Sequence, residues 1–405
     1  MNEIRPLKRD YGISRGVLTG LILLLIALIG LNAWIVFKTE LGASFFSYWL
    51  SSRVLFAQGE NPYGPQFFEQ LLERFPEDYY LSGFTLPLYS VIAFFPFSFI
   101  NQFDIALIIW MTILEVLLVY GGIKTLSAFQ IAHRTANPTT VGIMLLLCYY
   151  SVVAILDGDI GILSFFLLMM AMDAIREHED EFAGILLAFA TIKYSLTLLP
   201  ILWFLIWCFV NHRRTVVMWF LMVLTLLVLL AVLFMTDWIT EFFRSIVYYY
   251  KYLDPIYFSK LIENWQPELG GRIGWAISGF FIFIMIIEWI VNARGGQRAF
   301  EWVTALTIAI GFVAGIPNIG KNLYLLWVPL IYALDKINLR WIYKGKWLSL
   351  ALILAFIILP WLNQRGNPNL WQFPIDVLNM IFPAVCILLL YWNRWWTIRN
   401  IVDEF

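Results

Sequence analysis

The chain has 405 residues, of which 61% are hydrophobic and only 14% charged, against about 25% charged in an ordinary soluble domain. A water-soluble fold of this size has no means of hiding so much apolar surface, which excludes a cytoplasmic enzyme, a secreted disulfide scaffold and a disordered chain. The net charge of −1 gives no bias toward nucleic acid.

The chain opens on a basic stretch with Arg5, Lys8, Arg9 and Arg15, followed by an apolar run over 17–37. That run lacks a small-residue cleavage site and reads as a retained helix, not a signal peptide. Further apolar runs lie at about 103–124, 140–156, 160–174, 181–192, 195–211, 214–235, 272–292, 299–316, 322–335, 346–362 and 374–392. With the first they predict an all-α, polytopic transmembrane helix bundle of about 12 crossings. The whole chain, 1–405, is expected to be one integral membrane domain. It divides into a cytoplasmic tail over 1–16, a core over 17–335 and C-terminal helices over 336–405. Cys148, Cys208 and Cys386 all lie inside apolar runs and read as buried thiols.

Placing the N-terminus in the cytoplasm puts 17 of the 27 basic residues on the inner side. Both termini are then inside. This orientation requires that 86–100, apolar but carrying Pro87 and Pro96, does not cross. It is read as a re-entrant or interfacial segment of a long first outer loop over about 38–102, which carries interfacial helices.

The polar residues outside the inner loops gather in five places. Glu40 stands at the mouth of the first span. Downstream in the same loop, Tyr48, Trp49, Arg53 and Phe56 predict an amphipathic helix along the membrane surface, and Asn61-Pro62-Tyr63-Gly64 predicts a turn. Asp157-Gly158-Asp159 forms a tight acidic connection between two apolar runs. It suits a divalent cation or a hydroxyl substrate, or simply a polar turn that caps a helix. Lys193 lies between two short apolar runs and either snorkels or meets an anion. The outer segment 236–271 mixes Arg244, a run of tyrosines, Asn264 and Gln266, which suits sugar faces and phosphates or an interfacial aromatic belt. The fifth is a polar turn with Asn318 and Lys321. Glu115 lies deep in an apolar run with no partner visible in the sequence.

The order and spacing of these stretches resemble the polytopic GT-C glycosyltransferases, and most closely glycosyltransferase family 87, which uses polyprenyl-phosphate mannose. The resemblance is carried by Tyr48-Trp49 through Arg53 to Asn61-Pro62-Tyr63, Pro87 and Pro96, and Asp157-Gly158-Asp159. Ala183 to Lys193, Asn264-Trp265-Gln266 and Pro317-Asn318 complete it. It implies a GT-C-like core and a catalytic acid shortly before the aromatic pair, where this chain carries Ser44. Glu40 is the first substitute, followed by Asp157 and Asp159. It also implies cations for the donor phosphate, here Lys193, Arg244 and Lys321. Contacts to substrate fall to Tyr48, Arg53, Asn61, Tyr63, Asn264, Gln266 and Asn318. Asp157 and Asp159 are the candidates for a divalent cation, if one is used. The implied partners are a polyprenyl-phosphate sugar donor, a lipid or glycan acceptor and the bilayer. The implied location is the plasma membrane, with the active face extracytoplasmic. A catalytically silent relative that binds lipid-linked sugar, and a twelve-helix transporter or flippase, are the competing readings. One-sided polar chemistry disfavours the transporter, which should carry polar groups near mid-membrane.

Overall fold

The computed structural model describes residues 15–75, 84–131, 136–252, 268–315, 320–341, 344–365 and 375–398, and these contain helices and no strand. In chain order the helices are α1 (Arg15–Val36), α2 (Ala43–Arg53), α3 (Pro65–Arg74), α4 (Val91–Phe94), α5 (Phe103–Ala128), α6 (Pro138–Leu147), α7 (Tyr149–Asp157), α8 (Gly161–Arg176) and α9 (Asp180–Ala190). They continue with α10 (Tyr194–Val210), α11 (Arg214–Phe234), α12 (Trp238–Tyr252), α13 (Gly270–Asn292), α14 (Gln297–Val313), α15 (Trp327–Arg340), α16 (Lys344–Arg365) and α17 (Ile375–Ile398). Among the described residues, six helical stretches are long and apolar enough to cross a membrane, or seven if α6 and α7, bent by 66° at Cys148, count as one span. Leu23, Leu233, Ile290 and Leu388 are all more than half exposed. Apolar side chains presented outward in this number require hydrocarbon around them, so the protein is a membrane-embedded helical bundle.

α14 is buried on every face from Ala299 to Val313 and forms the centre of the bundle, as expected for a helix that is apolar all round. Trp203 of α10 packs beside it and donates its indole N–H to Thr304 Oγ1 at 3.2 Å, and Trp302 within it donates to the Leu390 carbonyl at 3.0 Å. All three cysteines are buried and free.

Ion pairs join neighbouring helices. Lys124 pairs with Asp173 at 2.7 Å, Arg213 with Asp180, and Arg394 with Glu288 at 2.9 Å. These pairs also decide how 180–210 runs. A straight helix of its 31 residues would be about 46 Å long. Yet Arg213, just beyond its end, pairs with Asp180 at its start. The stretch therefore folds back at the 3-10 turn Thr191–Lys193, with α9 and α10 as its two limbs.

The segment 86–100 is a short run of mixed helical turns. It breaks into a 3-10 turn at Leu88–Ser90, the one-turn α4 and a second 3-10 turn at Phe95–Phe99. The Leu86 carbonyl at one end accepts from Tyr63 Oη at 2.7 Å, and the Ile100 carbonyl at the other accepts from Trp49 Nε1 at 3.2 Å. Both ends therefore touch the same first-loop layer. Pro87 and Pro96 withhold backbone donors and stop a continuous helix. In α2 the expected surface helix gives way to a buried one. Phe45 to Ser52 are all shielded, because α4, its flanking 3-10 turns and α5 close over them. Phe45 stacks on Trp110 and meets Phe94 and Phe97 edge-on.

Candidate functional site

The site begins where α7 ends. Gly158 has φ +68°, ψ 32°, the left-handed region that a Cβ makes costly. A Cβ there would also lie 2.5 Å from the Phe45 Cβ, so the start of α2 can press directly on this turn. Trp110 Nε1 fixes it by donating to the Gly158 carbonyl at 2.9 Å.

This contact seats Ser44 on Asp157. The Ser44 backbone N–H donates to Asp157 Oδ1 at 3.1 Å, and its hydroxyl donates to Oδ2 at 2.6 Å. Lys321, from the 3-10 segment Gly320–Leu326, donates to Ser44 Oγ at 2.8 Å and forms an ion pair with Asp157 Oδ2. The same ammonium stands 3.3 Å from Asp159 Oδ2, and Lys193 approaches that oxygen at 3.4 Å from the fold-back of α9 and α10. Asp159 Oδ1 accepts the Gly161 N–H at 2.6 Å at the start of α8, so the acidic turn both caps a helix and holds two lysines. Asp159 is fully buried. Burial alone would raise its carboxyl. The Lys193 and Lys321 ammonium groups and the Gly161 N–H outweigh that and hold it down at about 2.

Two neighbours were not among the sequence-predicted site residues. A Cβ on Gly161 would lie 2.9 Å from Tyr324 Oη and 3.2 Å from Asn322 Oδ1. Both atoms are buried without a hydrogen-bond partner. The available signal was Asn322 and Tyr324, one and three residues after Lys321, at the head of an apolar run.

The structure thus brings together Asp157, Asp159, Lys193 and Lys321. Glu40 does not join them. It is exposed ahead of α2 and makes no ion pair or hydrogen bond among the described residues. Tyr48 is buried with its ring on Phe94. Arg53 lies over the Trp49 ring and donates to the Ile100 carbonyl and Asn101 Oδ1, both at 3.2 Å. Asn61 closes its turn by accepting the Tyr63 N–H at 2.8 Å. The Tyr63 hydroxyl is held well above its ordinary value by burial, with Tyr89 and Tyr194 adding to the effect, and so stays protonated. Arg244 pairs with Glu241 at 2.6 Å, away from the two aspartates. Asn264, Gln266 and Asn318 lie outside the described residues. Glu115 finds Asn32 of α1 at 3.1 Å.

The donor set does not fit a divalent cation. Ammonium groups occupy the approach to both aspartates, and no three His, Cys, Asp or Glu side chains converge among the described residues.

A membrane-embedded bundle with two carboxylates and two ammonium groups interlocked at one end defines a class, a polar site on an apolar scaffold. The particular family follows from comparison. The model of glycosyltransferase family 87 matches residues 84–314, more than half of the chain, and the chain belongs to that family. The matched span contains Asp157, Asp159 and Lys193, while Ser44 and Lys321 lie to either side of it. No curated protein and no solved structure matches the chain.

Proposed function

We propose that the protein transfers a hexose, in the first instance mannose, from a polyprenyl-phosphate donor to a lipid or glycan acceptor. Transfer takes place at the extracytoplasmic face of the plasma membrane. Membership of a glycosyltransferase family supports transfer of a sugar. The observation that carries the rest is the Ser44–Asp157–Lys321 contact at one end of the bundle. It supplies a carboxylate beside Ser44, the residue that stands shortly before the aromatic pair.

In this reading Asp157 is the base. The acceptor hydroxyl oxygen forms the new bond to the anomeric carbon and its proton passes to Asp157. The bond from that carbon to the phosphate oxygen breaks, and the lipid phosphate leaves with the electron pair. Lys321 and Lys193 hold the departing anion. Before the donor arrives, Lys321 lies against Asp157. A donor phosphate that draws Lys321 away leaves Asp157 open to the acceptor hydroxyl, so the contact is released when there is a sugar to transfer.

The supporting topology is twelve passes with both termini cytoplasmic. α9 and α10 count separately, and the short helices α8, α14 and α15 cross inside the bundle, where neighbouring helices shield them. The same reading gives the core a GT-C-like organisation. The test is purified protein given radiolabelled polyprenyl-phosphate mannose and a membrane lipid extract. Labelled product from the wild type, lost in Asp157→Asn, supports the reading. No product under any condition overturns it for this donor. Ser44 favours one competitor, a silent relative that binds lipid-linked sugar, which predicts donor binding with no product in the same experiment.

A further inference from the structure

A cavity of about 450 Å³ opens between α3 and α12, away from the paired aspartates. It lies within the usual ~300–1,000 Å³ of small-molecule sites. Its walls are two helix faces that look at each other. Pro65, Phe68, Glu69 and Leu72 come from α3, and Glu241, Arg244, Ser245 and Tyr248 from α12, with Tyr63 completing the lining. Both sets follow the i, i+3, i+4, i+7 spacing of one helical face. α3 keeps its other apolar residues, Phe67 and Leu71, for the core. Phe68 and Tyr248 meet edge-on across the cavity with ring centroids 6.4 Å apart. Ser245 Oγ ties α12 to the first loop by donating to the Phe84 carbonyl at 2.8 Å.

The charge of this lining selects its occupant. Two carboxylates and one guanidinium leave a net charge of −1, and the guanidinium is already taken by Glu241 at 2.6 Å. A phosphate would meet repulsion here. An uncharged polyol would not. Its C–H faces pack on the three aromatic rings, and its hydroxyls donate to Glu69 and Glu241. We propose that this cavity holds a neutral carbohydrate, the sugar acceptor, and that Arg244 orients Glu241 within it and does not bind the donor phosphate. The proposal rests on the glycosyltransferase reading. α12 also touches the fold-back that carries Lys193. Phe242 of α12 packs on Tyr194, the residue after Lys193, with centroids 5.6 Å apart.

Direct binding tests it, with the protein in lipid nanodiscs free of glycoside detergent. The probes are methyl mannotrioside, the same trisaccharide on an alkyl chain, mannose 6-phosphate and polyprenyl phosphate. The expected result is saturable binding of methyl mannotrioside, weakened about tenfold or more by Tyr248→Ala and by Glu69→Gln, with polyprenyl phosphate binding unchanged. Glu69 is exposed, so its variant serves if Tyr248→Ala does not fold. Equal binding of the free and alkyl-linked glycan identifies a glycan acceptor, and tighter binding of the alkyl-linked form a glycolipid. Either supports the proposal if both variants weaken it. Absence of trisaccharide binding, binding that both variants leave intact, or equal occupancy by mannose 6-phosphate overturns it. Binding is read without transfer, so a failed transfer reaction and a failed acceptor site are distinguishable.

Discussion

Ser44 Oγ donates to Asp157 Oδ2 at 2.6 Å across 113 residues of sequence. The contact joins the start of α2 to the turn between α7 and α8. Asp157→Asn is expected to reduce sugar transfer by at least ~100-fold, the usual contribution of a general base, while the protein keeps its elution volume and Tm. Glu40→Gln, on an exposed residue outside the cluster, is expected to leave the rate within about twofold. The reverse order of effects would move the base to Glu40.

Asp159 gives a pH dependence of known sign. Its carboxyl is held down at about 2 when folded, against about 3.9 in an unfolded chain. Its contribution to stability is therefore complete above about pH 4 and lost as pH falls toward 2. Asp159→Asn leaves the Lys193 and Lys321 ammonium groups close together without that counter-charge. It should destabilise by about 3 kcal/mol at neutral pH and remove this part of the acid dependence. Unfolding midpoints of the two proteins in detergent between pH 2 and pH 7 measure both effects. Parallel pH curves would refute the assignment.

Gly158→Ala should separate folding from site geometry. The left-handed backbone costs a non-glycine residue about 1–2 kcal/mol, and the added methyl would meet the Phe45 Cβ at 2.5 Å. α2 must then shift, taking Ser44 off Asp157. The expected outcome is a folded protein with a modestly lower Tm and a disproportionate loss of transfer. Unchanged transfer would show that the Ser44 contact is dispensable.

Topology is tested by labelling. The three native cysteines are buried, so an engineered thiol reports alone. Gly64→Cys should react with an impermeant maleimide added outside intact cells. Arg340→Cys, on the basic side of α15, should react only after permeabilisation. Reaction at Arg340→Cys in intact cells would invert the orientation.

Several features were legible in the sequence because they follow from local chemistry. Pro87 and Pro96 stop 86–100 from forming a continuous helix wherever it lies. The apolar runs on either side of Lys193 already implied a turn, and the Arg213–Asp180 pair shows why, since the two ends must meet. Asp157, Asp159, Lys193 and Lys321 stood out as charges in or beside apolar runs, where an ionised group needs a partner. The burial of α2 was not legible. Its Tyr48, Trp49 and Arg53 look like membrane-surface residues until the segment 86–100 folds over them. Nor was the choice between Glu40 and Asp157 as the acid beside Ser44.

The sequence by itself determined a membrane-embedded helical bundle, the candidate charges and a resemblance that the family match over 84–314 bears out. Tertiary structure decided which charges meet. Hydrophobic periodicity and basic-residue bias are local signals and persist whatever the packing. A hydrogen bond between Ser44 and Asp157, or a cavity between α3 and α12, depends on which helices become neighbours. That is set by the sum of many weak, non-directional contacts such as Phe45 against Gly158, and no short stretch of sequence contains it.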